Sequence, residues 1–280
     1  MFKNYFNIAF RNLKRNKIFS LINIAGLAIG ISASLVIYLI VQHEFSFDTF
    51  HKDGDRIYRV VTKIEFTDLT IHNSGVPVPT VKATRNELTG IEGVTHFVTS
   101  YGRKVSIPSP GSQSPAVFRN QPNIIYADEE YFKIFNYQWL AGSPQTALKD
   151  PFQVVLTKSR AEAYFASASP NDIIGREIMY DDSVKTTVAG VIKDIDKATD
   201  FTFKEFISRA TIENTGLKNH WNWEEWGSIN SGSQMFVKLK KGTQPVQIEK
   251  QLVALRNKYR ERRKEGNDKD DPVLDRKSVV

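Results

Sequence analysis

Residues 18–41 carry no charge, and fourteen of these 24 positions are Ile, Leu, Val or Phe. Roughly 20 residues at about 1.5 Å rise each span a bilayer core. Each aliphatic position favours insertion by about 0.3 to 0.6 kcal/mol, and Ser20, Asn23, Ser32 and Ser34 subtract from the sum without reversing it. A soluble core helix would show a charged stripe at period 3.6, and none is present. A signal peptide would share the basic front end, and Ser32-Ala33 resembles a small-residue cleavage site. Its apolar region is about 7 to 15 residues, however, and here the run continues through residues 35–41. The pattern predicts a retained transmembrane helix over 18–42.

Ahead of it, Phe2, Phe6, Ala9, Phe10 and Leu13 recur at three- and four-residue spacing, with Lys3, Asn7, Arg11 and Lys14 between them. This predicts an amphipathic helix over 1–17 able to lie in the headgroup layer. The alternative is a short basic flank with accidental periodicity. Within the run, Gly26, Gly30 and Ser34 sit four apart. A small-residue face lets a second helix approach closely, although single matches also arise by chance. As a packing face it implies a transmembrane partner, in this chain or another.

Beyond residue 42 the pattern alternates. Strands are expected at 56–66, 94–102, 123–128, 152–157 and 233–242, where β-branched and aromatic residues concentrate. Helices are expected at 79–88, with Pro79 in the first turn, and at 129–135 and 158–165. Another should start near Thr243 and Pro245 and run to about residue 264. The Pro-, Ser- and Gly-rich residues 106–117 read as a loop or hairpin tip. Residues 176–182 and 185–195 read as a hairpin turning at Asp181, Asp182 and Ser183. The fold class is α+β: one N-terminal transmembrane helix followed by a mixed α/β domain of two subdomains. No internal repeat is present.

Charge sets the topology. Lys3, Arg11, Lys14, Arg15 and Lys17 precede the run with no acid among them, and Glu44 and Asp48 follow it. Positive charge stays cytoplasmic, so the N-terminus is inside and the rest outside. These five cations supply most of the +7 net charge over 280 residues. The basic balance is a topology signal that gives little support to nucleic-acid binding. With no cysteine, the outer domain has no disulfides and no thiol chemistry.

Motif chemistry is sparse. There is no GxxxxGK[ST] phosphate loop, no GxGxxG, no HExxH and no GxSxG. His43, His51, His72, His96 and His220 lack metal-ligand spacing. Residues 51–55, HKDGD, faintly resemble a calcium loop but read as a turn, because a third acidic position and the terminal glutamate are missing. Asp181, Asp182, Asp194 and Asp196 read as solvated turn residues rather than an acid–base pair. Residues 221–226, WNWEEW, fit a loop packed on its own sheet, a contact with a partner or the membrane interface, or sugar stacking. No catalytic, cofactor or metal residue is assigned.

Two stretches resemble a known family. Residues 10–60, with RNLKRNK, GLAIG and FDTFHKDGDRIYRV, are similar to the opening of MacB/FtsX-type ABC transporter permeases in the form common in Bacteroidetes-like bacteria. Residues 164–195 resemble that family's periplasmic core domain, where a strand hairpin follows an "IG" turn, here Ile174-Gly175. The likeness extends to about residue 260. It implies a non-enzymatic permease subunit of the bacterial inner membrane, with its main domain periplasmic at 43–265. ATP would be bound by a partner ABC ATPase and not by this chain. The other implied partners are a second permease copy, the lipid bilayer and a periplasmic adaptor.

The chain departs from the family in lacking a second hydrophobic span. The expectation is a truncated end over 266–280, with 275–280, DRKSVV, matching a reading frame of a common sequencing adapter. A single-span binding or sensor module is the alternative function, and a membrane-tethered enzyme a third. Substrate and oligomeric state are not encoded in any motif.

Overall fold

The computed structural model describes residues 2–109, 114–166, 168–259 and 269–275. It divides into two units, Met1–Phe47 and Asp48–Val280. The first holds helix α1 (Phe2–Arg15) and helix α2 (Lys17–Glu44). They are separated at Asn16, whose φ of −110° and ψ of 56° leave the helical region. No residue of α2 is buried. Its 28 residues give a length of about 42 Å.

The second unit is a mixed sheet with helices on it. In chain order it comprises β1 (Ile57–Glu65), β2 (Thr70–Asn73), α3 (Val78–Glu87), β3 (Ile91–Ser100), β4 (Arg103–Ile107), β5 (Ala116–Gln121) and β6 (Ile124–Ala127). Next come α4 (Tyr131–Ile134), β7 (Trp139–Gly142), β8 (Gln153–Thr157), α5 (Lys158–Phe165), α6 (Pro170–Ile173), β9 (Glu177–Tyr180) and β10 (Val184–Ile192). The rest is β11 (Glu205–Ser208), α7 (Ala210–Glu213), β12 (Ser233–Leu239), α8 (Pro245–Tyr259) and β13 (Lys269–Asp275). The sheet order is β13-β1-β12-β3-β6-β11-β8-β10-β9-β4-β5, with β2 on β1 and β7 on β10. Among the described residues, the β6·β11 and β8·β10 pairs are parallel and the other strand pairs antiparallel.

Side-chain alternation splits the core between the two faces. On one face, Tyr58, Val60, Val94, Met235 and Val237 pack against Val81 of α3 and Ile248 and Leu252 of α8. Farther along that face, Val98, Tyr126, Val154, Leu156 and Ile207 pack against Ala161 and Tyr164 of α5 and Ile173 of α6. On the other face, Ile57, Phe97, Ile125, Val155, Phe206 and Phe236 meet Tyr131, Phe132 and Phe135. A single sheet thus runs through the whole second unit.

Local chemistry explains the turns. Asp181 and Asp182 adopt left-handed φ of 47° and 56°, and the Ser183 N–H donates to Tyr180 O at 3.0 Å, so the three-residue loop 181–183 closes the β9–β10 hairpin. Gly175 of the "IG" turn has φ of 83°, and its N–H donates to Val188 O at 2.8 Å. Thr157 caps α5 by accepting from the Arg160 N–H. Gly142 has φ of 79°, and a Cβ there would lie 2.4 Å from Ala189 O.

Most expected elements form within a few residues of their sequence bounds. Six strands were not anticipated. β4 and β5 flank and partly enter the expected 106–117 loop. β2 is almost wholly exposed, β7 has only four residues and ends in glycine, β11 begins with a buried acid, and β13 contains Pro272 and two consecutive acids. The helix expected to reach residue 264 is described to Tyr259, and residues 260–264 lie outside the described residues. Of residues 275–280, Asp275 closes β13 and the remainder lie outside.

Gly142→Val should lower unfolding free energy by about 1–3 kcal/mol, since it adds a left-handed β-branched residue to a backbone clash. Urea denaturation followed by tryptophan fluorescence measures this.

Candidate functional site

The residues singled out in the membrane segment lie along α2 and its approach. Gly26, Gly30 and Ser34, with Leu27, Ile31, Leu35 and Tyr38, line a shallow groove on one side of α2. A Cβ at Gly26 or Gly30 would meet nothing within 4 Å. Ser34 Oγ donates to Gly30 O at 2.9 Å, so the hydroxyl is satisfied within the helix. Lys3, Arg11, Lys14 and Arg15 all lie on α1 and are exposed, and Lys17 opens α2. Tyr5, Phe6, Phe10 and Leu13 of α1 are exposed as well.

In the outer unit the conspicuous polar feature is a seam between the two apolar clusters of one sheet face. His96 stands on β3 between Val94 of one cluster and Val98 of the other, with no exposed surface. Arg209 Nη1 donates to His96 Nδ1 at 3.2 Å, so the ring proton sits on Nε2. Nε2 donates to Ser233 Oγ at 3.0 Å, and that hydroxyl donates to Val76 O at 2.9 Å. Burial, then the charges of Arg209 and Arg85, hold the ring well below the usual histidine range. Beside it, Asp128 accepts from Arg85 at 2.6 Å, His96 N at 2.7 Å, Thr95 Oγ1 at 2.8 Å and Glu130 N at 3.1 Å. Arg209 also covers the Trp223 ring at 5.3 Å.

A second buried charge lies within the larger cluster. Glu205 accepts from Tyr164 Oη at 2.7 Å and Tyr180 Oη at 2.5 Å, with Arg160 Nε 3.2 Å away. Burial pushes its carboxyl upward, while Arg160 and the two phenols pull against that. Arg160 also donates to Pro122 O at 2.9 Å and to Gln121. Neither network presents a nucleophile, an open cleft or an acid–base pair to solvent. Both are arrangements that fix elements to one another.

Where the second unit begins, Asp48 and His51 are buried together, His51 Nε2 lying 3.9 Å from Asp48 Oδ1. Asp48 has φ of 55°; its N–H donates to Ala198 O at 3.1 Å, and its carboxylate accepts from Thr199. The His51 ring packs against Phe50, Phe135 and Phe201. Burial lowers its pKa to about 4. The HKDGD segment is a turn, with Asp53 bridging Arg56 and Lys238 at 3.0 Å each.

The other sequence candidates have structural partners. Asp181 and Asp182 pair with Arg103 and Lys104, Asp194 accepts from Ser159, and Asp196 lies 3.3 Å from Lys193. Trp221 and Trp223 pack against the larger cluster, and Trp226 stacks on Tyr259 at 4.4 Å, as expected for a loop resting on its own domain. Among the described residues, no three His, Asp or Glu side chains converge as a metal site.

The family model for the MacB-like periplasmic core domain matches residues 20–255. This chain belongs to that family. The fold is also that of a domain from a protein described as a permease of Porphyromonas gingivalis, at 15% identity and a TM-score of 0.65, covering 80% of this chain and 91% of that one. The periplasmic region of MacB from Actinobacillus actinomycetemcomitans aligns at 20% identity and a TM-score of 0.49, covering 72% and 83%. No curated protein matches this chain in sequence. The family is that of ABC-type transporter permeases, and α2 is long and apolar enough to cross a membrane.

Two measurements probe the buried charges. Arg160→Met should cost about 3–5 kcal/mol in urea denaturation by stranding Glu205, with the Arg160→Met/Glu205→Gln double variant recovering much of it. For His51 the folded pKa is about 4 against 6.5 unfolded, so the folded state binds fewer protons. Its contribution is whole above pH 6.5 and falls by up to about 3 kcal/mol as pH drops towards 4. His51→Phe should flatten that part of the stability–pH curve.

Proposed function

We propose that this chain is the permease subunit through which a partner ABC ATPase drives movement of a periplasmic domain for export. The observation that carries the reading is a 28-residue apolar helix with no buried residue, joined directly to a MacB-like periplasmic core domain. α2 lies in the bacterial inner membrane. α1 rests in the cytoplasmic headgroup layer, Lys3, Arg11, Lys14, Arg15 and Lys17 holding that end inside. ATP belongs to the partner ATPase, and this chain contributes no catalytic group. Nucleotide-driven closure of the ATPase reaches the periplasmic domain through the transmembrane helices.

The groove at Gly26, Gly30 and Ser34 is read as the face on which α2 packs against another transmembrane helix, of the same permease or of a second copy. The open space over both glycines supports this, because two backbones can meet there without a side chain between them.

Topology is tested directly because the chain has no cysteine. A membrane-impermeant maleimide should label Tyr101→Cys in intact cells and leave Asn7→Cys unlabelled; the reverse pattern refutes the orientation. Coupling is tested in the reconstituted permease–ATPase complex. Gly30→Leu should lower its ATP hydrolysis by at least about tenfold, equivalent to about 1.4 kcal/mol, while periplasmic protease resistance stays unchanged. Undiminished hydrolysis in that variant removes the packing face from the mechanism.

A further inference from the structure

The chain enters the second unit through a short strap, residues 48–52, which starts at Asp48 with φ of 55° and gives way to Asp53 with φ of 61°. The far end is fixed, because Asp53 bridges Arg56 and Lys238 just before β1 begins. The near end is held to the β10–β11 connection by the Asp48 N–H on Ala198 O and the Thr199 hydroxyl on the Asp48 carboxylate. Lys197 of the same connection lies over the Phe50 ring at 5.5 Å. Between the two ends the His51 ring fills a niche made by Phe50, Phe135 and Phe201. The niche is apolar and its occupant is not. Both ring nitrogens of His51, and Asp48 Oδ2, are buried without a hydrogen-bond partner in the protein. The 3.9 Å from His51 Nε2 to Asp48 Oδ1 is too long for one. Among the described residues, no other side chain has two such atoms. Burial raises the Asp48 carboxyl, against the pull of the Thr199 hydroxyl and the Asp200 N–H, and lowers the His51 ring to about 4.

We propose that residues 48–52 are a latch, which lets go of the β10–β11 connection and the aromatic niche while the sheet stays folded, and so frees the tether between α2 and β1. Two observations carry this. First, the closed state is locally unfavourable, since buried polar atoms without partners favour any conformation that returns them to water. Release gives up two hydrogen bonds and the packing of one ring, and it rehydrates three orphaned atoms. Second, the strap can come away alone. It is built of turns, with no strand ladder holding it, and Asp53 stays tied to Lys238 at its far end. Five freed residues add at most roughly 17 Å of slack. The use of that slack rests on the proposed coupling of α2 to an ATPase; the latch itself does not.

The test is amide hydrogen exchange of the full chain in nanodiscs, without ATPase, so that its failure is distinct from a failure of coupling. Peptides covering 48–53 should exchange at least about tenfold faster than those of β1 and β12. Thr199→Val removes the hydroxyl that Asp48 accepts from, and should speed both exchange of 48–53 and diethylpyrocarbonate modification of His51 about fivefold. His51→Phe replaces the orphaned nitrogens by apolar atoms, and should slow exchange of 48–53 by about fivefold. β1 and β12 should be unmoved in both variants. His51→Leu repeats the comparison with a smaller side chain should the phenyl ring crowd the niche. Exchange of 48–53 no faster than that of β1 overturns the proposal. So does unchanged or faster exchange in both His51 variants, or a Thr199→Val variant in which neither readout rises.

Discussion

No residue of α2 is buried, and the character of the first unit follows from that. Fourteen large aliphatic or aromatic side chains in one helix, none buried, would cost on the order of 20–40 kcal/mol to keep in water. That exceeds the roughly 5–15 kcal/mol by which an ordinary domain is stable, so no rearrangement of the outer sheet could compensate. Insertion in a bilayer, as proposed, would remove that cost and give the basic approach helix and the acidic exit a side each.

The outer domain has no cysteine, so its stability rests on packing and buried polar contacts. Core clusters lie on both faces of the sheet, and two buried polar networks serve as joints. The Asp128 carboxylate ties the segment after β6 to α3 and β3, and the His96 ring continues the chain of bonds to Arg209 and the start of β12. Glu205 ties β11 to α5 and β9. An unpaired buried charge is so unfavourable that each network admits essentially one arrangement, which makes them determinants of geometry more than sources of net stability.

Long-period features could be read from residues alone. The membrane helix, α3, β1, the β9–β10 hairpin and the proline-led start of α8 each follow from a run of apolar positions or a turn dipeptide that needs no tertiary partner. The six unforeseen strands fail that condition. β11 is a strand although it opens with Glu205, because Arg160 and two tyrosines from elsewhere neutralise the acid's burial. β13 forms on β1 despite Pro272. The same limit applied to the polar seam. His96 reads as one of five scattered histidines, and only the sheet order that sets β3 between β12 and β6 brings Arg209 and Ser233 to its two nitrogens. Likewise, HKDGD is visible as a turn, but the burial of His51 beside Asp48 is not.

The pairing of β1 with β13 has a mechanical corollary. Seven residue pairs run antiparallel from Arg59–Asp275 to Lys269–Glu65, so the first residues of β1 and the last of β13 emerge side by side at one end. Tension between those two points would load the ladder as a zipper, one rung at a time, beginning at the Arg59–Asp275 ion pair, rather than as a lap joint in which every rung shares the load.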